Sequence, residues 1–487
     1  MINQQLDQVG WYFDHSYIKL PQDFFAEQLP IQVPNPKLIL LNEPLLKSLG
    51  LNKKTLSHEA WGDIFSGNKI PKKAYPIAQA YAGHQFGQFT QLGDGRAILL
   101  GEQISAEGKR FDIQFKGSGK TPYSRRGDGR AALGPMLREY IISEYMHAMN
   151  IPTTRSLAVV ATGERVMRDK VLPGAILTRV AQSHIRVGTF QYASTLNDIK
   201  KLKALTDYTI DRHYPECKEE KNSYLTFLNK VIERQALLVS QWMQVGFIHG
   251  VMNTDNMSII GETIDYGPCA YMDRYHAETV FSSIDSQGRY AYANQPPIAQ
   301  WNLARFAETL LPLIDQDPDK SIELATQSVN SFSTQFQNAW LKGMRQKLGL
   351  FKEESSDIDL INNLLAIMQK NNADYTVTFR HLSSDTIFKD TISRDISFLA
   401  WHKNWMHRVQ KQQEGEEASR LMMLKNNPAI IPRNYLVEQA LTMAVKEEDT
   451  TLLNEFIDAL LKPYEDSKVF SEPPLEEDKS YQTFCGT

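Results

Sequence analysis

What most constrains this 487-residue chain is where its two textures lie. From Tyr81 to Val187 short β-type runs alternate with Gly-rich turns, whereas beyond about Thr195 the pattern is predominantly helical. Strands and helices kept apart in this way argue for an α+β fold, since a doubly wound sheet would interleave them. Ala97–Glu102 and Phe111–Phe115 read as neighbouring strands joined by the turn Ala106–Arg110. Pro135–Met149 carries Leu137, Tyr140, Ile141, Tyr145 and Ala148 at helical spacing, with Pro135 suited to a first turn. Leu157–Val160 and Ile176–Val180 read as two more strands, and the part before about Pro76 as strands, loops and one short helix. The second part should hold helices over Tyr224–Val245, Trp301–Ile314, Ile322–Lys347, Ile358–Gln369, Ile396–Gln412 and Leu436–Leu461. The Pro-rich, acidic tail from Ser471 has no periodicity and reads as an irregular surface segment. The expected units are 1–190, 191–465 and a tail 466–487.

Composition removes several classes of function. A formal net charge of −4 supplies no general pull towards nucleic acid, and the cluster Arg125, Arg126 and Arg130 reads as solvated surface. No apolar run approaches the ~20 residues that span a bilayer, and the N-terminus lacks the pattern of a secretory signal. Cys217, Cys269 and Cys485 are too few and too scattered for a disulfide scaffold or a closed zinc site. A cytoplasmic protein with no membrane or nucleic-acid partner is expected.

Gly117-Ser118-Gly119-Lys120-Thr121 imitates the end of a P-loop, but Gln114 stands where the opening glycine is needed and Pro122 where the helix should start. Lys116 is the more informative lysine. It ends the strand Phe111–Phe115, and a helix one Gly-rich loop later offers Glu139 or Glu144 as partner, as in kinases where a strand lysine grips phosphates. A second constellation follows the long helix. His249 and Asn256 have the spacing of a kinase catalytic loop, and Asp265-Tyr266-Gly267 stands where Asp-Phe-Gly would bring metal to phosphate. With the two-part outline, this predicts a protein-kinase-like bilobal fold with a nucleotide and a divalent ion between the lobes. One residue departs from that scheme: the aspartate that would accept the substrate proton is Val251. Gly93-Asp94-Gly95-Arg96 before a strand, and Arg179 and Arg186 around the turn Ala181–Ile185, are further candidates to meet phosphates.

With these residues in view the sequence resembles the selenoprotein O (YdiU) family of kinase-like protein nucleotidyltransferases. The resemblance is densest in YAGHQFGQFTQLGDGRA, QFKGSGKTPYSRRGDGRAALGPMLREY, TRVAQSHIRVGTFQ and GFIHGVMNTDNMSIIGETIDYGPCAYMD. It implies ATP bound in reverse, with the γ-phosphate inward, and transfer of AMP to Ser, Thr or Tyr hydroxyls of proteins; UMP transfer is also attributed to members. It implies a Lys116–Glu139 ion pair, γ-phosphate contacts from Arg179 and Arg186, and Mg²⁺ or Mn²⁺ on Asn256 and Asp265. Asp255 corresponds to the proton acceptor, and Gly93, Gly95, Arg96, Asp128 and Gly129 to other nucleotide contacts. Some members carry selenocysteine near the C-terminus; here Cys485 occupies that region. A catalytically silent ATP-binding scaffold and a conventional phosphotransferase are the competing readings.

Overall fold

Period-2 side-chain alternation in one central strand decides what faces the site. The computed structural model describes residues 9–384, 391–474 and 481–483. Its strands are β1 Phe13–Asp14, β2 Phe25–Glu27, β3 Lys37–Leu41, β4 Ile77–Gln79, β5 Ala82–Gln85, β6 Gln88–Gln91, β7 Ala97–Ile104, β8 Arg110–Lys116, β9 Ala131–Ala132, β10 Arg155–Met167, β11 Val171–Ala181, β12 Phe247–Ile248 and β13 Ala270–Tyr271. Nine of them form an antiparallel sheet of order β2-β4-β7-β8-β11-β10-β3, with β1 added on β7 and β9 on β11. In β8, Ile113 and Phe115 enter a core with Trp61, Phe65, Leu100, Leu157 and Ile176. Asp112, Gln114 and Lys116 therefore take the other face. On β11, Arg179 pairs with Gln114 and Leu177 with Lys116, so Arg179 shares that face. The helix Leu133–Ala148 packs here, and its Leu137, Ile141 and Tyr145 join Leu99, Leu177, Leu228 and Val231 in the largest core. Each fully buried side chain of this size contributes about 1.5–3 kcal/mol.

The second part is helical, led by Ser223–Gln244, Gln295–Ile314 and Pro318–Lys347, with a further core around Met344, Phe379, Trp401 and Trp405. Several boundaries differ from expectation. Two short helices precede Pro76, Glu43–Ser48 and His58–Phe65, each started by a side-chain cap (Asn42 and Ser57). β10 and β11 extend well beyond their apolar centres, and Arg179 lies inside β11, as the strand expected over Ile176–Val180 has it. The helix expected over Leu436–Leu461 is broken into Asn434–Thr442, a π-turn Met443–Glu447 and Thr451–Leu460. Glu448 at φ +55° stops the first piece, and Asp449 accepts from the Thr451 N–H to start the second. The tail is not wholly free surface: Thr483 donates its N–H to Phe281 O (2.7 Å) and its hydroxyl to Pro268 O (2.6 Å). Cys485 lies outside the described residues. Among the described residues no helix is long and apolar enough to cross a membrane.

The turn 182–186, which leads from β11 to the helix Val187–Thr195, is held by buried polar groups. Asp112 accepts from the His184 N–H (2.9 Å) and from Arg212 (2.6 Å), which also donates to Gln182 O (2.6 Å). Glu262 accepts from the Gln182 side chain at 2.9 Å, and burial pushes its carboxyl up to about 8. The unfolded carboxyl ionises near 4.5, so between there and about 8 the native state holds the extra proton. Stability from this group is full below the lower value and is lost as pH rises through the upper one. Glu262→Gln should therefore gain on the wild type in thermal midpoint as pH goes from about 5 to about 8. A difference between the two proteins that stays constant across that range would contradict the assignment.

Candidate active site

Lys116 is the last residue of β8, and its Nζ donates to Glu139 Oε2 (2.6 Å) and to Asp265 Oδ1 (3.1 Å). Glu139 lies on the helix Leu133–Ala148; its Oε1 accepts from Arg179 Nη2 (2.7 Å) and Nε (3.0 Å). Glu144, the other candidate on that helix, is taken by Arg155 and Asn42. Asp265 gathers all three cations. Its Oδ1 also accepts from Arg179 (2.6 Å) and its Oδ2 from Arg186 (2.6 Å). It sits in the left-handed region at φ +62°, with the Gly267 N–H closing a tight turn onto its carbonyl (2.8 Å). Lys116, Arg179 and Arg186 are all at most 5% exposed, and among the described residues they face only two carboxylates, Glu139 and Asp265, in direct ion pairs. Burial pushes Asp265 up, but Arg179, Arg186 and Lys116 together hold it well below the usual carboxylate range.

The catalytic-loop segment lies beside this cluster. Arg186 caps the helix Val187–Thr195 and donates from Nη1 to Asp255 O (2.8 Å), while its Nε is buried without a partner. Asp255 is 7% exposed, and its Oδ1 is likewise buried and unpartnered. Burial pushes Asp255 up to about 6 against the pull of Arg186. Gly83 of β5 packs on it so closely that a Cβ would lie 2.5 Å from Oδ1; only glycine fits there. Asn256 donates to Val251 O (3.0 Å), and His249, kept neutral by burial, bonds Ile264 O (2.9 Å).

The two Gly-rich loops lie against each other. Thr121 Oγ1 donates to Asp94 O (2.7 Å), and Ser124 Oγ to Gly95 O. Gly93 and Gly95 thus pack on Tyr123 and Ser124, and Gly129 (φ +70°) leaves no room for a Cβ against the Gly119 backbone. Asp128 is farther out, clamped by Arg168 at 2.8 and 3.1 Å. No helix follows Gly117–Thr121, which rejects the P-loop imitation. A cavity of about 1540 Å³ opens beside the cluster, lined near it by Arg96, Lys116, Glu139, Tyr266 and Gly267 and reaching Arg168 at the β10–β11 end.

This arrangement has counterparts. The profile described as Protein adenylyltransferase SelO matches residues 9–461. The chain belongs to the SelO family. A protein nucleotidyltransferase YdiU of Clostridium botulinum is 57% identical over 481 residues, covering 98% of each chain. Those of Halalkalibacterium halodurans and Bacillus cereus are 56% identical over 489 residues and 55% over 484, each covering at least 99% of both chains.

In this SelO-family chain the structure brings together Lys116, Glu139, Arg179, Arg186, Asp265 and the Asp255 carbonyl, with Arg96 on the adjoining cavity, while Asn256 follows in the same loop with its side chain on Val251 O. Sequence spacing missed Tyr81, whose ring lies 4.6 Å from the Arg186 guanidinium, and, within the Gly93–Arg96 turn, the burial of Asp94, which pushes its carboxyl up to about 6. Both sit in the dense Tyr81–Ala97 string, but nothing local in it signals their burial. Removing Glu139 would leave Lys116 and Arg179 buried with Asp265 alone. Glu139→Ala should cost about 3–5 kcal/mol in denaturant unfolding. Adding Lys116→Met to it should cost much less than the sum of the single changes, because the two act as one unit; strict additivity would show otherwise.

Proposed function

We propose that this enzyme transfers AMP from ATP to hydroxyl groups of protein substrates, within a kinase-like pair of lobes that meet near residue 190. The observation that carries the reading is the buried excess of cations at Lys116, Arg179 and Arg186. A triphosphate whose γ-phosphate points inward would meet these groups, and the partnerless Nε of Arg186 offers it a donor. The α-phosphorus then lies outward, towards Asp255. Val251 cannot orient a hydroxyl in the ordinary kinase position, whereas Asp255 has a buried carboxylate oxygen with no protein donor. An acceptor Ser, Thr or Tyr oxygen attacks the α-phosphorus and gives its proton to Asp255. The bond from that phosphorus to the oxygen bridging to the β-phosphate breaks, and pyrophosphate leaves with the electron pair.

A divalent ion, Mg²⁺ or Mn²⁺, would be held by Asp265 and Asn256. The donors fit: Asn256 spends its N–H on Val251 O, which leaves its Oδ1 as an acceptor, and phosphates can take over the cations now on Asp265. Such an ion supplies charge neutralisation for the leaving pyrophosphate. Gly93, Gly95, Arg96, Asp128 and Gly129 would contact the rest of the nucleotide. Buried free thiols at Cys217 and Cys269 support a reducing compartment.

Incubation with α- or γ-labelled ATP tests the reading. Label on protein from the α position is expected and none from the γ position; γ-label alone would make the protein a phosphotransferase, and neither label a scaffold. Asp265→Ala should abolish transfer, and Asp255→Ala should lower it by about 10²–10⁴-fold with ATP affinity largely kept. Val251→Asp should not create γ-transfer, because Arg179 and Arg186 still hold that phosphate inward. Robust γ-labelling by Val251→Asp would overturn the reversed orientation.

A further inference from the structure

The hairpin β5–β6 stands apart from the main sheet and is tied to the loop that carries Asp255. The His84 N–H donates to Thr254 Oγ1 (2.7 Å) and the Phe86 N–H to Asn253 Oδ1 (3.1 Å). Tyr290 donates its hydroxyl to that same Asn253 oxygen (2.6 Å), which brings a third segment to the same place. Next to Tyr290, the Arg289 guanidinium lies 5.0 Å from the Trp301 ring centroid, and that of Arg305 lies 5.1 Å from it. His84 stands edge-on to both Trp301 (5.3 Å) and Phe89 (5.2 Å), and Phe89 is 45% exposed.

The two arginines differ in how they are neutralised. Arg305 is ion-paired with Glu308 at 2.5 Å. Arg289 has no carboxylate partner among the described residues, and its Nε is without any partner. Asp285, four positions earlier, is occupied by the backbone N–H groups of Arg289 and Tyr290 (2.9 and 2.7 Å). Stacking on an indole fixes a guanidinium without cancelling its charge, so little side-chain entropy is left to lose when an anion arrives. Beside it, β6 pairs only with β5 among the described residues, which leaves one strand edge open to an extended chain.

We infer that the β5–β6 hairpin and Trp301 form the docking surface for the acceptor segment of the protein substrate, and that this segment carries an Asp or Glu side chain that pairs with Arg289. The occupant is an acidic, extended peptide: the Arg289 guanidinium, held on Trp301 with no carboxylate partner among the described residues, calls for the charge, and the open edge and exposed Phe89 suit the extended backbone. This rests on the nucleotidyl-transfer reading, since it places the acceptor hydroxyl next to Asp255.

The test uses the full chain, α-labelled ATP and short serine-centred synthetic peptides flanked by Glu, Gln or Lys. The wild type should label Glu-flanked peptides about three- to tenfold better in kcat/KM than Gln-flanked ones. Arg289→Glu should turn the preference towards Lys-flanked peptides, and Arg289→Lys should keep it in weaker form, both with the KM for ATP nearly unchanged. A wild type indifferent to flanking charge, or a preference that survives Arg289→Glu, would overturn the inference while leaving nucleotidyl transfer intact. If the wild type places α-label on no peptide and no lysate protein, the transfer reading fails and the inference falls with it. Arg289→Lys keeps the positive charge but loses the planar guanidinium, so a weakened preference for Glu-flanked peptides in that variant separates a misfolded Arg289→Glu protein from a true change of preference.

Discussion

Three buried cations share one carboxylate, Asp265, and the surrounding elements are arranged so that they can. Lys116 arrives from a strand end, Arg179 from near the end of the strand beside it, and Arg186 from the cap of a helix that begins six residues after that strand ends. Burying an ion costs several kcal/mol unless its partners are close and well oriented. Here every cation has at least one oxygen within 2.6–2.7 Å, and Glu139 supplies the second carboxylate that keeps the cluster from flying apart. The left-handed backbone at Asp265 is the local strain that turns its carboxylate into the middle of the three.

That cluster is useful only if its members cannot drift, and the next layer of contacts serves this end. The turn before Arg186 is clamped from one side by Asp112 and Arg212 and from another by Glu262. The Tyr81 ring lies against the Arg186 guanidinium and limits its swing. On the far side the β5–β6 hairpin presses Gly83 onto Asp255 and is pinned through Thr254 to Gln191 of the helix that Arg186 caps. Rigid elements thus meet the site from every direction, which is what a reaction governed by positioning and charge neutralisation needs.

Much of this was legible from spacing, and the exceptions have physical causes. Adjacent strands, a Gly-rich loop and one strong helix were enough to bring Lys116 to the helix that carries Glu139 and Glu144, but not to choose between the two; the fold commits Glu144 to Arg155 and Asn42. The intervals from His249 to Asn256 and on to Asp265 likewise survive in the fold as one loop cluster. β10 and β11 run beyond the apolar centres that marked them, Leu157–Val160 and Ile176–Val180, because pairing with each other carries them on through polar and Pro/Gly-containing stretches. The break at Glu448 was hidden because apolar residues at helical spacing lie on both sides of it, from Leu436 to Ala444 and from Leu453 to Leu460. Least legible were contacts across long separations, such as Tyr81 with Arg186 or His84 with Trp301: nothing in either segment names the other.

Val251 shows how the parts constrain one another. Its side chain is buried at 6% exposure, and its carbonyl accepts from Asn256, so this position still orients the neighbouring amide through its backbone. What it has given up is only the side-chain task of meeting a hydroxyl. A carboxylate at Val251 would stand in the same loop as Asp255. Like charges at such range raise one another's pKa, and a second acid would tend to keep the first protonated. Burial has already lifted Asp255 to about 6, so little further repulsion is needed to protonate it at neutral pH. If Asp255 takes the acceptor proton as proposed, an apolar residue at 251 spares it a neighbouring carboxylate that would favour its protonated form.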